Sequence, residues 1–163
     1  MTHRVPHRKQ EGARHEAAYT LELLASFGIS PPTRLVPVVP IRPVAAERVD
    51  TLLREAAIGA SERLVAIHPS ASCVSKRWMP ERFAEVADRL VIEQGVRICL
   101  VAGEVDAAHA QQVAQRMRRP VLNVAGGLSV AELAALLRRC RCLLSNDSGP
   151  VHIAAAVGTP VVD

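Results

Sequence analysis

The stretch SNDSGPVHIAAAVGTPVV (Ser145–Val162) decides how the chain is read. Ser145 closes an apolar run, Asn146 to Gly149 make a polar turn, small residues from Pro150 to Val157 suit a short helix, and Val161-Val162 opens another strand. A strand, a tight turn and a helix in that order aim the N–H groups of the helix N-terminus at an anion. Gly149 permits close backbone approach, and Pro150 stands where a first-turn residue loses no needed hydrogen bond. Ser148 can cap the helix or donate to the anion, and His152 falls in the first turn. A plainer reading has Asp147 or Ser148 only capping the helix and His152 packing against a neighbour. Spacing alone leaves both open.

Upstream, the same alternation repeats. A short apolar strand, Leu64–Ile67, leads into His68-Pro69-Ser70-Ala71-Ser72, and a helix is expected from about Pro80 to Gln94, with Pro80 in its first turn and Gly95 as its stop. Strand Val96–Ala102, helix Asp106–Arg118, strand Val121–Val124, helix Val130–Arg139 with Ser129 as N-cap, and strand Cys142–Ser145 follow. Five strands and four helices with short connections predict an α/β fold, a doubly wound parallel sheet of Rossmann-like type. Ligands of such sheets bind outside the carboxyl ends of the strands, where each polar cluster of this chain falls. Ahead of the sheet, Ala17, Leu21, Leu24 and Phe27 recur at helical spacing up to Gly28. Five prolines between Ile29 and Pro43 then predict an extended connector, and a second helix is expected over about Ala45–Ala57. The expected organisation is therefore the end of a preceding N-terminal domain and an interdomain connector with helices, 1–60, and a Rossmann-like domain, 61–163, to which the resemblance given below adds nucleotide-sugar binding. No helix follows Val161-Val162, which makes a fragment, truncated at its C-terminus, the expectation.

Composition narrows the function classes. The 163 residues are 49% hydrophobic and 22% charged, a globular balance, and with 2% aromatic residues the core must be built from Ala, Val, Leu and Ile. The net charge of +4 fits an anionic ligand, but Trp78, Tyr19, Phe27 and Phe83 offer no stacking platform for nucleic acid. No apolar run approaches the roughly 20 residues of a membrane span, and Met1 to Gln10 lack the apolar stretch of a signal peptide, so a cytoplasmic protein is expected. Cys73, Cys99, Cys140 and Cys142 form no C-x-x-C pair and read as buried reduced thiols, with Cys140 and Cys142 on one face of a strand. His3, His7 and His15 match no metal-ligand spacing and read as a solvated basic segment.

Other polar clusters admit two readings each. Lys76 beside Ser70 and Ser72 can neutralise phosphate charge, while Arg77 and Trp78 read as a solvated residue and an apolar anchor. Glu104 and Asp106 follow the second strand, where nucleotide domains place an acid for ribose hydroxyls, although Asp106 is also a natural N-cap. Leu128, after Gly126-Gly127, can border a base or simply pack its loop. Neither a P-loop nor a G-x-G-x-x-G fingerprint is present, and no nucleophile triad suggests itself.

Two segments carry a resemblance that spacing does not supply. HPSASCVSKRWMPERFAEVA (His68–Ala87) and the opening stretch (Ser145–Val162) together resemble the C-terminal domain of the lipopolysaccharide heptosyltransferases, glycosyltransferase family 9, over roughly Leu64–Asp163. The resemblance implies one half of a GT-B architecture and an inverting, metal-independent transfer of heptose from ADP-heptose to a lipopolysaccharide inner-core acceptor. It implies no cofactor beyond that donor substrate, and a cytoplasmic enzyme peripheral to the inner membrane. Lys76 and Ser70 would face the donor phosphates, and Asp147, Ser148, Gly149 and His152 the diphosphate and sugar, with Lys76 and His152 in the catalytic roles. Glu104 or Asp106 would engage the ribose, and Leu128 would border the adenine. The family's N-terminal acceptor domain, with the aspartate taken as general base, has no counterpart in this sequence. A GT-B enzyme using another nucleotide sugar, or an inactive truncated nucleotide-binding fragment, are the alternatives.

Overall fold

The computed structural model describes residues 12, 14–32 and 35–163; His3 and His7 lie outside them. The chain divides into two compact units, Met1–Pro37 and Val38–Asp163. In the first, helix α1 (Glu16–Leu21) tightens into a 3-10 segment, Glu22–Phe27, that stops at Gly28 in the left-handed region. The single helix expected over Glu16–Phe27 is thus split, and none of its residues is buried. His15 caps α1, its Nδ1 accepting from the Ala17 amide at 3.2 Å.

The second unit contains α2 (Pro43–Glu55), β1 (Leu64–His68), α3 (Pro80–Gln94), β2 (Arg97–Leu100), α4 (Ala107–Arg116), β3 (Val121–Asn123), α5 (Val130–Arg139), β4 (Cys140–Ser145), α6 (Gly149–Val157) and β5 (Val161–Val162). The strands form one parallel sheet in the order β3-β2-β1-β4-β5. All five residues of β1 are buried, as a central strand covered on both faces requires. On one face Phe83, Ala84 and Ala87 of α3 and Ala110 and Val113 of α4 pack on Val65, Ile67, Ile98 and Leu100. On the other, α2, α5 and α6 bring Val49, Leu53, Leu136, Leu137, Ala154 and Val157 onto Leu64, Ala66, Cys99 and Leu143. Local signals agree with this packing: Pro80 and Pro150 sit at helix starts, Gly95 and Gly158 stop α3 and α6 at φ 60° and 81°, and Ser129 and Glu132 close a capping box on α5.

Four expectations need correction. The boundary near residue 61 falls too late, because α2 belongs to the sheet's own core: Val49 and Leu53 are 1% and 2% exposed. The connector is also shorter than expected, since Pro43 starts α2, where its fixed φ suits the first turn. Finally, Cys140 and Cys142 face opposite sides of the sheet. The pairing steps from Leu64 with Cys140 to Val65 with Cys142, so Arg141 is an extra residue and a β-bulge reverses the alternation. Cys140 therefore joins the core beneath α5 and Cys142 the one beneath α3. Nor are all four thiols buried: Cys99 and Cys140 are, burial pushing Cys140 up to about 12, whereas Cys142 is half-buried and Cys73 exposed.

Leu53→Ala tests where the core begins. Deleting a buried leucine side chain lowers stability by about 2–5 kcal/mol, which urea unfolding measures. A loss close to zero would detach α2 from the cooperative unit.

Candidate functional site

Because the connections from β1 and β4 depart to opposite faces, the crevice between their carboxyl ends is the topological switch point of the sheet. The register pairs His68 with Ser145 there, so the turns after the two strands start side by side. Asn146 joins them. Its Nδ2 donates to the Pro69 carbonyl at 3.0 Å and its Oδ1 accepts from the Trp78 amide at 3.1 Å, with the residue 7% exposed. One side chain thus anchors both ends of the loop that carries Lys76. Trp78 packs edge-on against Phe83, ring centroids 5.1 Å apart, as the apolar anchor expected of it.

Lys76 lies on a 3-10 turn, Val74–Lys76, and reaches across the crevice to Asp147, Nζ to Oδ2 2.5 Å. Both side chains are more than half exposed, so the pair faces the open mouth. The lysine's hydrogen bond, then its charge, holds the Asp147 carboxyl below the usual carboxylate range, and the same bond raises Lys76. Exposed pairs of this kind contribute little to stability and are screened by salt, which leaves both charges ready to exchange partners.

Beside this pair starts α6. Ser148 occupies the N-cap position and its carbonyl accepts from the Val151 amide at 3.1 Å, yet its side chain makes no cap bond. Gly149 faces open space, where a Cβ would meet nothing within 4 Å, and His152 is exposed in the first turn. A cavity of about 100 Å³ adjoins, lined by Val101, Gly103, Leu128, Val130, Leu133 and Pro150. It brings Leu128 and the start of α6 to one apolar slot. Glu104, exposed on the 3-10 turn Glu104–Asp106, follows Gly103 at its rim.

Other expected residues sit differently. Ser70 is fully buried and its hydroxyl has no hydrogen-bond partner among the described residues, so it lies behind the crevice surface. Leaving a hydroxyl so costs about 1–3 kcal/mol. Arg77 is half-buried and bonded to protein groups, not free in solvent. Its Nε donates to the Ala71 carbonyl at 2.7 Å and its Nη1 lies 3.0 Å from His109 Nε2, while His109 Nδ1 is 3.7 Å from Asp106. Asp106 stands at the N-cap position of α4 without a cap bond, turned toward His109. Among the described residues no group of His, Cys, Asp and Glu is arranged to hold a metal ion, and no helix is long and apolar enough to cross a membrane.

Sequence reasoning missed three residues at this mouth: Asn146, His109 and His68. His68 is 4% exposed, with Nδ1 at 3.0 Å from Ser148 Oγ and 3.3 Å from Ser145 Oγ. The one signal for it was a polar residue ending an otherwise apolar strand. Burial pulls its imidazole below the ordinary value of 6.5, against the opposing charge of Asp106. In the unfolded chain the ring takes up a proton near 6.5, in the folded chain only at lower pH. Stability is therefore complete above about pH 6.5 and falls as the pH drops from there through the folded value.

Two measurements follow from this geometry. Asn146→Ala strips partners from the part-buried Trp78 amide and the buried Pro69 carbonyl and lowers stability by about 1–3 kcal/mol in urea unfolding; an unchanged midpoint would show that the loop is held otherwise. Unfolding between about pH 7.5 and 5 shows an acid-side loss of stability that His68→Asn flattens, and equal slopes for both proteins would remove His68 as its source.

The model of glycosyltransferase family 9 (heptosyltransferase) matches residues 4–163. Over 90 residues, 53% of this chain and 26% of its own length, lipooligosaccharide heptosyltransferase 2 of Haemophilus ducreyi is 37% identical. The glycosyl transferase family 9 structure from Veillonella parvula superposes with a TM-score of 0.85 at 24% identity, over 98% of this chain and 44% of that one. That of the E. coli heptosyltransferase WaaC with ADP-2-deoxy-2-fluoro heptose gives 0.61 at 22% identity, over 91% and 44%. The chain thus spans less than half the length of these relatives, and the two structures show a shared fold. Because the family model matches nearly the whole of this chain, the chain belongs to glycosyltransferase family 9, the heptosyltransferases.

Proposed function

We propose that this chain supplies the donor-binding part of a heptosyltransferase that moves heptose from ADP-heptose to a lipopolysaccharide inner-core acceptor, with inversion and without a metal. The observation that carries this reading is the Lys76–Asp147 pair standing beside the start of α6, next to an apolar slot, at the sheet's switch point. A nucleoside diphosphate sugar has the matching parts: a flat apolar base, a ribose with two hydroxyls and a diphosphate. The base enters the slot against Leu128, the ribose meets the Glu104–Asp106 turn, and the diphosphate reaches Gly149 and Lys76. The family's WaaC structure, bound to an ADP-heptose analogue, supports the choice of donor.

In the reaction the acceptor hydroxyl attacks the anomeric carbon while the bond from that carbon to the diphosphate oxygen breaks, leaving negative charge on ADP. Lys76 and the first turn of α6 stabilise that charge where it develops, the kind of fixed electrostatic help that dominates group transfer. Once the diphosphate takes Lys76, Asp147 is released toward the sugar and His152. Ser70, buried behind the crevice, supports the loop that faces the phosphates. The acceptor hydroxyl gives up its proton to a general base as it attacks, and the protein works on the cytoplasmic side, peripheral to the inner membrane.

Calorimetric titration of the full-length protein with ADP tests this reading. The wild type binds ADP in preference to UDP, and Lys76→Ala combined with His152→Ala weakens binding by about tenfold or more, the loss of charge-assisted contacts. Undiminished binding by the double variant, or preference for UDP, would overturn the assignment.

A further inference from the structure

We infer that His68, which touches no part of the donor in the reading above, is a positioning residue that keeps the N-terminus of α6 open by holding the Ser148 hydroxyl away from it. A serine at an N-cap ordinarily turns its hydroxyl onto an amide of the first turn. Ser148 has the right position and the right backbone: φ −160°, ψ 172°, with its carbonyl accepting from Val151. Pro150 has no N–H, so the Val151 amide is the one its hydroxyl would take. The hydroxyl is instead tied at two points, 3.0 Å from His68 Nδ1 and 3.2 Å from Ser145 Oγ.

The anchor itself is rigid. His68 and Ser145 are each 4% exposed and paired across β1 and β4, and the Ser145 hydroxyl donates to the Asn146 carbonyl at 2.7 Å. The rest of β1 is apolar, and an aliphatic residue at position 68 would fit that pattern. A buried imidazole is costly unless bonded. Among the described residues, the hydrogen-bond partners of its ring are the two serines, so its presence is accounted for by where it puts them. Diverted from capping, Ser148 leaves the Val151 amide with the Ser148 carbonyl as its partner among the described residues, and Gly149 stays exposed beside the Lys76–Asp147 pair. The ligand side of this inference rests on the proposed donor site; the hydroxyl's choice of partner does not.

The test uses the full-length protein and two readouts. Without a ligand, His68→Leu frees Ser148 to cap α6, and hydrogen exchange of the Val151 amide slows by about fivefold, the weight of one cap bond. His68→Asn keeps a polar atom near the Nδ1 position and retains the wild-type exchange rate. With ADP and with inorganic pyrophosphate as probes, His68→Leu raises Kd by about tenfold, whereas His68→Asn stays near the wild type. If His68→Leu does not fold, His68→Val carries the same expectations. Unchanged Val151 exchange in the aliphatic variant overturns the proposal, as does equal weakening of ADP binding by both substitutions. A wild type that binds neither probe defeats the donor reading instead, and the exchange result still decides the role of His68.

Discussion

The parallel pairing of β1 with β4, which sets His68 against Ser145, is the constraint on which the site depends. It brings together two turns that lie 77 residues apart in the chain. Once they are adjacent, short polar side chains can bridge them: Asn146 to the backbone of Pro69 and Trp78, Lys76 to Asp147, Ser148 to His68. Parallel strands are paired only through crossovers buried on both faces, so the two cores above and below the sheet serve first to hold this register. The bulge at Arg141 is part of the same constraint, because it sets which residues of β4 face which core before the strand reaches the mouth.

The mouth combines fixed and exchangeable elements. Asn146 and His68 are buried and bonded to backbone or to other buried groups, so they hold geometry. Lys76 and Asp147 are exposed and bonded to each other, so an incoming anion can replace the carboxylate at the cost of one screened ion pair. That division, a rigid base under a charge pair free to open, is what the proposed diphosphate donor would need.

The aromatic-poor composition has a structural counterpart. Alanines at 84, 87, 110, 134, 135 and 154 bring helices close to the sheet, and Phe83 is the largest fully buried side chain. A core of such small residues needs every covering helix. Hence α2, which precedes the first strand by several residues, is an integral part of it, and the useful boundary of the unit is Val38.

The sequence by itself determined the strand and helix alternation, the parallel sheet, and the polar ends at which ligands gather. These depend on local signals: apolar runs of strand length, Pro80 and Pro150 at helix starts, Gly95 and Gly158 at their ends, the Ser129–Glu132 box. Lys76, Asp147, Leu128 and the start of α6 were legible as polar or apolar positions following strands, and the motifs of His68–Ala87 and Ser145–Val162 pointed to the family. What only the tertiary structure decided was which of these groups meet and which turn away. Lys76 pairs with Asp147, Asp106 turns to His109, Ser70 is buried without a hydrogen-bond partner among the described residues, and Ser148 serves His68 in place of its own helix. A side chain's choice between a local cap and a distant partner depends on what the sheet's register places within about 3 Å, and neither propensity nor spacing along the chain contains that distance.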